Sequence, residues 1–195
     1  MDPTDVWSAS VWSRSGPWSE QEWLNLPSDG PLIELLDGSL LVSPNPARPH
    51  RRISRLLANL FDEPAERLGG EVEEGANVRL RDECVLIPDV VVFREPGTQA
   101  ITDADLVLLA AEIVSPGQRT RDQVFKHDIY AKEGIPWYLI VDAGEGWIEA
   151  SLHRLDEGRY TQVAKAGAGD VLEVEPLGFS FDPAAVLPQA WRTRE

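Results

Sequence analysis

A set of almost wholly apolar segments constrains the fold of this chain more than any other feature. They span residues 84–93, 105–114 and 137–141. Such runs are typical of strands covered on both faces, as in the middle of an α/β sheet. Residues 120–133 have a helical pattern and are followed by glycine and proline, which end helices. The strand–helix–strand order therefore predicts a βαβ crossover.

The other segments predict a single α/β domain over residues 19–188. Ser19 and Glu22 have the spacing of a capping box, which predicts a short helix. Asp37-Gly38 between two apolar runs predicts a β-hairpin. We expect a mixed β-sheet flanked by helices, with this N-terminal hairpin and short C-terminal strands. The remaining predicted elements are an amphipathic helix over 50–68 and strands over 72–80, 147–154 and 160–164.

Residues 1–18 have a different composition from the rest of the chain. Trp7, Trp12 and Trp18 lie among Ser, Asp and Pro without a sustained apolar period. The segment therefore predicts a flexible tail, which becomes ordered only if its indoles dock on another surface.

Length and composition exclude several classes of protein. A chain of 195 residues fits one domain. A single cysteine, Cys84, excludes a disulfide framework and a multi-cysteine zinc site. No stretch approaches the ~20 apolar residues of a membrane span, and the first residues do not resemble a signal peptide. We therefore expect a cytoplasmic protein that has no membrane partner.

The net charge weighs against nucleic-acid binding. Lys and Arg number 18 and Asp and Glu 33, which gives 18 − 33 = −15. Most proteins that bind nucleic acid offer it a basic surface.

Two acids interrupt the apolar runs. Asp89 lies within the first run and Glu112 within the second, each near one end of a predicted strand. A buried carboxylate is costly unless it is paired or binds a metal. If the two strands are neighbours, both carboxylates can converge on Mg²⁺ or Mn²⁺, which prefer oxygen ligands. The alternative is that each acid lies at a strand end, solvated or paired with an arginine.

The helix after Glu112 carries polar side chains on one face. Asp122, Lys126 and Tyr130 are spaced at i, i+4 and i+8. An Asp–Lys pair at this spacing usually contributes only a few tenths of a kcal/mol to helix stability. Its proximity in sequence to the strand acids makes a functional role the competing interpretation.

Several short motifs follow one another in a distinctive order and spacing. They are Ile33–Gly38, Ser43-Pro44 to His50, Ile87–Val91, Ala111–Pro116 and Arg121–Asp142. No single motif is specific, but the set resembles the Uma2 family, restriction-endonuclease-like proteins of the PD-(D/E)xK superfamily, over about residues 19–180.

The resemblance implies roles for individual residues. Asp89 matches the motif acid and Glu112 the second acid. The superfamily lysine normally lies two residues after that acid, where this chain has Val114. The resemblance implies that Lys126, on the following helix, takes its place.

The resemblance also implies supporting residues around these three. Glu34 matches a further acid that completes the site. His50 matches a family histidine, for which a capping or structural role is an equal alternative. Asp122 would orient Lys126, and Tyr130 would pack against the site or donate to it.

The implied activity is Mg²⁺- or Mn²⁺-dependent hydrolysis of phosphodiester bonds in DNA. Asp89 and Glu112 would hold the cation, and Lys126 would position or deprotonate a water or balance charge on the phosphate. Arg119 and Arg121 are candidates for phosphate contacts. Their alternative roles are pairing with Asp122 or solvation at the surface.

Two competing hypotheses remain open from the sequence. The net charge favours a non-catalytic family member that uses the fold for binding or assembly. A homodimer whose shared cleft gathers arginines would reconcile that charge with DNA binding. A hydrolase acting on small phosphate esters is less supported, since the sequence has no Walker-type glycine loop, GxSxG elbow or HExxH motif.

Overall fold

The computed structural model describes residues 16–27, 30–114 and 122–192, with only the backbone for 122–124. The helices in these ranges are α1 (Glu20–Leu24), α2 (Arg48–Arg67) and α3 (Asp122–Lys132). The strands are β1 (Leu32–Leu36), β2 (Ser39–Ser43), β3 (Glu71–Glu74), β4 (Val78–Arg81), β5 (Cys84–Leu86), β6 (Val90–Phe93), β7 (Thr102–Asp103), β8 (Val107–Val114), β9 (Trp137–Gly144), β10 (Trp147–Asp156), β11 (Arg159–Gly167), β12 (Leu172–Val174) and β13 (Phe179–Phe181). Short 3₁₀ turns cover Ala104–Leu106, Glu175–Leu177, Pro183–Val186 and Gln189–Trp191.

A mixed sheet lies at the centre of the fold. Among the described residues it has six strands in the order β11-β10-β9-β8-β6-β3. Strands β8 and β9 are parallel, and the other neighbours are antiparallel. Because α3 lies between the two parallel strands in the chain, the predicted βαβ crossover and α/β fold class are confirmed.

One face of this sheet is covered by α2. Ile53, Leu57 and Phe61 recur at helical spacing, are completely buried, and share a core cluster with Val90 and Val92. Burying a side chain of this size stabilises the fold by about 1.5–3 kcal/mol. The amphipathic pattern predicted for residues 50–68 thus corresponds to the packed face of α2.

The opposite face is covered by α3. Ile129 and Tyr130 share a second core cluster with Val91, Phe93 and Tyr138. Successive residues of β6 therefore enter different clusters, because side chains alternate between the faces of a strand. This is the two-sided burial that continuous apolar runs indicate.

The N-terminal hairpin belongs to a second sheet. Among the described residues its order is β2-β1-β5-β4-β7, while β12 and β13 form a separate pair. Asp37 and Gly38 at the hairpin turn have φ of 46° and 76°, as a two-residue turn with both central residues left-handed requires. The predicted hairpin and capping box are both present.

Two predicted strands, over 72–80 and 84–93, are each divided between the two sheets, so predicting one strand for each was wrong. The first divides at Gly75, whose φ of 64° is left-handed and ends the extended backbone. The second divides at Pro88, which has no N–H to donate to a strand ladder. As a result β3 and β6 join the central sheet, and β4 and β5 join the second sheet.

The predicted tail lies outside the described residues except for its last three. Of these, Trp18 is not free: its backbone N–H donates to Gly38 O at 2.8 Å, and its side chain packs against a cluster that contains Trp23 and Leu35. Trp18 therefore packs on the domain, because this indole has an apolar surface to cover.

Within the described ranges, no helix combines the length and apolar character needed to cross a membrane.

Candidate active site

The site forms where the chain passes from one sheet to the other. Between β5 and β6, the Ile87 N–H leaves the strand ladder and donates to Glu34 Oε1 at 2.7 Å. Glu34 lies in β1 of the second sheet and is buried with 4% exposure. The division of the predicted strand thus frees a backbone donor that fixes a buried carboxylate.

Asp89 follows directly after Pro88 and precedes β6. Because Val90 pairs with Ala111, the register brings Asp89 beside Glu112 of β8. Asp89 Oδ2 accepts a hydrogen bond from the Ile113 N–H at 2.7 Å. The expectation that the two strands are neighbours is met, and Asp89 is held across the end of their ladder.

Glu112 points to the α3 side of the sheet, since its neighbours Ala111 and Ile113 belong to the α2 side. Lys126 of α3 places Nζ 2.9 Å from Glu112 Oε1 and 3.0 Å from Glu34 Oε1. The Lys126 side chain is 11% exposed, and the Ile87 O lies 3.4 Å from its Nζ. One ammonium therefore links carboxylates of the two sheets.

Tyr130, one turn after Lys126, completes the contacts of Glu112. Its hydroxyl donates to Glu112 Oε1 at 2.9 Å. Burial and the nearby charge of Glu112 raise the pKa of Tyr130 well above its ordinary value, so the hydroxyl keeps its proton.

His50 joins the site from α2. Its Nε2 lies 3.2 Å from Asp89 Oδ2 and 3.1 Å from Ile113 O. The histidine does not cap the helix: the N-cap is Ala47, which makes no side-chain hydrogen bond. A capping role for His50 is therefore excluded, and its ring contacts the Asp89 carboxylate.

The charges of the cluster are coupled. Burial raises the pKa of Glu112 to about 8, with Lys126 opposing that shift and the charges of Asp89 and Glu34 reinforcing it. Burial alone lowers the pKa of Lys126, but Glu112, Glu34 and Asp89 together raise it above its ordinary value. Lys126 is therefore an ammonium ion at neutral pH, among more acids than it can neutralise.

The carboxylate oxygens of the cluster suit a hard divalent cation, which prefers oxygen ligands. Among the described residues, no hydrogen bond reaches Asp89 Oδ1, Glu34 Oε2 or Glu112 Oε2. The same residues contain no ready-made group of three or more His, Cys, Asp or Glu side chains arranged around a metal position. A two-carboxylate site is nevertheless ordinary for Mg²⁺, which usually keeps several waters.

The cluster opens into a cavity of about 560 Å³. Its walls include Glu34, Asp89, Glu112 and Lys126, and Tyr138 of β9. Tyr138 is not among the site residues predicted from the sequence, although its hydroxyl is buried without a partner in the described part of the chain. A tyrosine within an otherwise apolar strand was the signal that could have identified it.

Three predicted site residues cannot be placed. Arg119 and Arg121 and the side chain of Asp122 lie outside the described residues. Val114, at the superfamily lysine position, is described and is buried with 2% exposure.

The mixed sheet with a helix on each face defines an α/β protein, in which acids of both sheets gather near one lysine. The chain belongs to the Uma2 family, whose model, described as "Putative restriction endonuclease", matches residues 20–185. A solved structure of a putative nuclease belonging to DUF820, from Anabaena variabilis ATCC 29413, is similar with a TM-score of 0.66. At 18% identity it covers 90% of this chain and 99% of that chain, a likeness that establishes the fold. No curated protein matches the chain significantly.

Proposed function

We propose that this protein is a Mg²⁺- or Mn²⁺-dependent DNA endonuclease of the PD-(D/E)xK type. The family description and the name given to the similar Anabaena protein support a nuclease. The observation that carries the proposal is the contact of Lys126 with Glu34 and Glu112, together with Asp89 in the wall of the same open cavity.

Asp89 and Glu112 would hold the cation, with Glu34 as a further oxygen donor nearby. When bound, such a cation lowers the pKa of a coordinated water and polarises a phosphoryl oxygen. The Ile113 N–H and His50 fix the Asp89 carboxylate, so its free oxygen is oriented before any ligand arrives.

Lys126 would act as a fixed positive charge. Because its pKa is raised, it retains its proton at neutral pH. This supports electrostatic stabilisation of the charge that develops on the phosphate, and it argues against Lys126 as the base that deprotonates water. Tyr130 would hold Glu112 in place through its hydrogen bond.

Cation binding can be tested by thermal unfolding with Mn²⁺. At a concentration about 100 times Kd, wild type should gain about 2.7 kcal/mol. For a chain of this size that is a rise in Tm of roughly 5–10 °C. The Asp89→Asn/Glu112→Gln variant should gain none, because it lacks both carboxylates.

A matched control removes two acids elsewhere. Asp156→Asn/Glu157→Gln changes the exposed last residue of β10 and the exposed first residue of the following turn, and it should keep the wild-type gain. Equal gains in all three proteins would rule out the proposed metal site. Absence of both the gain and Mg²⁺-dependent DNA cleavage in wild type would favour a non-catalytic binding or assembly module.

A further inference from the structure

The first two turns of α2 carry a one-sided arginine surface. Arg48, Arg51, Arg52 and Arg55 are spaced at i, i+3, i+4 and i+7, which places them on one face of the helix. All four are exposed. They lie within residues 38–61, a stretch without a single Asp or Glu in a chain that has 33 of them.

Among the described residues, no ion pair reaches any of these four arginines. Arginines of the second sheet behave differently: Arg79 pairs with Glu20 and Asp103, and Arg81 pairs with Asp37 and Glu133. In the described part of the chain, the arginines of the second sheet are therefore paired, and the four on α2 are not.

Helix stability does not explain the group. Arg48–Arg52 and Arg51–Arg55 are like-charge pairs at i,i+4, which destabilise a helix. Positive charge in the first turn also opposes the helix dipole. An anion bound beside the arginines would offset both costs, because it attracts the guanidinium groups and the positive end of the helix dipole.

The surface leads to the candidate active site. All four arginines line a cavity of about 980 Å³ together with Asp89, His50 and Glu74. Asp89 and His50 also line the smaller cavity that contains Glu112 and Lys126. A chain of phosphates held on the arginines would therefore continue directly to the acids.

The spacing fits a polyanion better than a single phosphate. From Arg48 to Arg55 the helix rises about 10 Å. At 3.4 Å per nucleotide along one strand, that distance corresponds to about three phosphates. Guanidinium groups bind phosphate oxygens in a bidentate manner, which suits this chemistry.

We propose that this arginine surface, formed by Arg48, Arg51, Arg52 and Arg55, binds the phosphodiester backbone of a nucleic-acid strand and directs it to Asp89. The inference rests on the proposed nuclease function and deepens it. It also explains how a chain of net charge −15 could approach DNA, because a local basic surface acts at contact distances where distant charges are screened.

The test measures binding rather than cleavage. Anisotropy of a short fluorescent DNA duplex, and separately of one of its strands, is followed in EDTA over a range of salt concentrations. For the Arg51→Gln/Arg55→Gln variant, the slope of log K against log salt should be smaller in magnitude by about 2. Each lost phosphate contact reduces this slope by about 0.9 for a duplex and by somewhat less for a single strand.

The matched control is Arg154→Gln/Arg159→Gln. It removes the same charge from exposed positions on the β10–β11 hairpin that line neither cavity. The control should bind with the wild-type slope. Equal losses in both variants, no loss in the α2 variant, or no binding by wild type would each overturn the proposal.

Cleavage by wild type, assayed separately with Mg²⁺, keeps the two proposals apart. Cleavage that does not depend on Arg51 and Arg55 would overturn the arginine surface and leave the nuclease proposal standing. Arginine-dependent binding without any cleavage would overturn the nuclease proposal and leave a nucleic-acid-binding surface.

Discussion

At the scale of single residues, Glu112 has an unusual environment for a carboxylate. One of its oxygens accepts from both Lys126 and Tyr130, and the charges of Asp89 and Glu34 act on it at close range. A neutral carboxyl is favoured here because three carboxylates share a single ammonium. The carboxylates of the cluster therefore repel one another unless a further cation is present.

This repulsion predicts that the stability of the protein depends on pH. The pKa of Glu112 is raised from 4.5 to about 8 in the folded protein, so between these values the folded state binds more protons than the unfolded state. Without divalent cations, the free energy of unfolding should then fall as pH rises from about 4.5 through about 8. Glu112→Gln mimics the protonated form, so its free energy of unfolding should lack this part of the decrease. That part is about 1.4 kcal/mol for each unit by which the pKa is raised.

Urea unfolding in EDTA at a series of pH values measures this difference. If the free energy of unfolding changes with pH in the same way for wild type and Glu112→Gln across the whole range, Glu112 is ionised in the folded protein.

Lys126 makes a second residue-scale prediction. Lys126→Met removes the positive charge from the site and leaves the carboxylates for the cation. Mg²⁺-dependent nicking of plasmid DNA should fall at least about a hundredfold, the usual scale of an electrostatic or proton-transfer contribution. The Mn²⁺-induced rise in Tm should persist.

Lys132→Met is the control for this experiment. Lys132 lies on the same helix but is exposed, so its replacement should leave nicking unchanged. Undiminished nicking by the folded Lys126→Met variant would exclude Lys126 from the mechanism.

At the scale of elements, the hairpin turn and the residues before α1 support each other. Gly38 has a φ of 76°, and a Cβ at this position would lie 2.6 Å from Pro17 Cβ. Gly134, after α3, has a φ of 80° and no atom within 4 Å of the same position. The two glycines therefore share a backbone conformation but differ in their surroundings.

A pair of alanine substitutions separates these effects. Gly134→Ala should cost about 1–2 kcal/mol, the strain of a left-handed alanine. Gly38→Ala should cost clearly more, because Pro17 and Trp18 must also move. Chemical denaturation gives both values, and equal costs would show that Pro17 and Trp18 do not dock on the turn in solution.

At the scale of the whole molecule, the domain boundary is a prediction that truncation can test. Deleting residues 1–15 should change the free energy of unfolding by less than about 1 kcal/mol, and so change Tm by only a few degrees. Deleting residues 1–18 should destabilise the protein further, because Trp18 covers part of a core cluster.

Calorimetry of the two truncated proteins would decide between these boundaries. A large loss on deleting residues 1–15 would show that Trp7 or Trp12 docks on the domain or across a dimer interface. Sedimentation of the full chain would test the predicted homodimer at the same time.

Local chemistry in the sequence was enough to predict most elements. The capping box at Ser19, the Asp-Gly turn and the apolar period of α2 each depend on residues a few positions apart. The βαβ crossover and the acids Asp89 and Glu112 could be identified for the same reason, since an ionisable residue in an apolar run is visible without a structure.

Other features depended on contacts between residues distant in the chain. Whether residues 84–93 form one strand or two depends on which sheet each half joins, and Glu34, over 50 positions earlier, accepts the freed Ile87 N–H at the break. The proximity of Lys126 to Glu34 and Glu112 depends on how α3 packs over the sheet. Likewise, His50 of α2 and Asp89 before β6 line both cavities only because α2 packs against the central sheet. The sequence by itself determined most of the elements and the candidate acids, because their signals are local. The tertiary structure decided how the strands divide between the sheets and which charges meet, because both depend on packing between the two sheets and the helices.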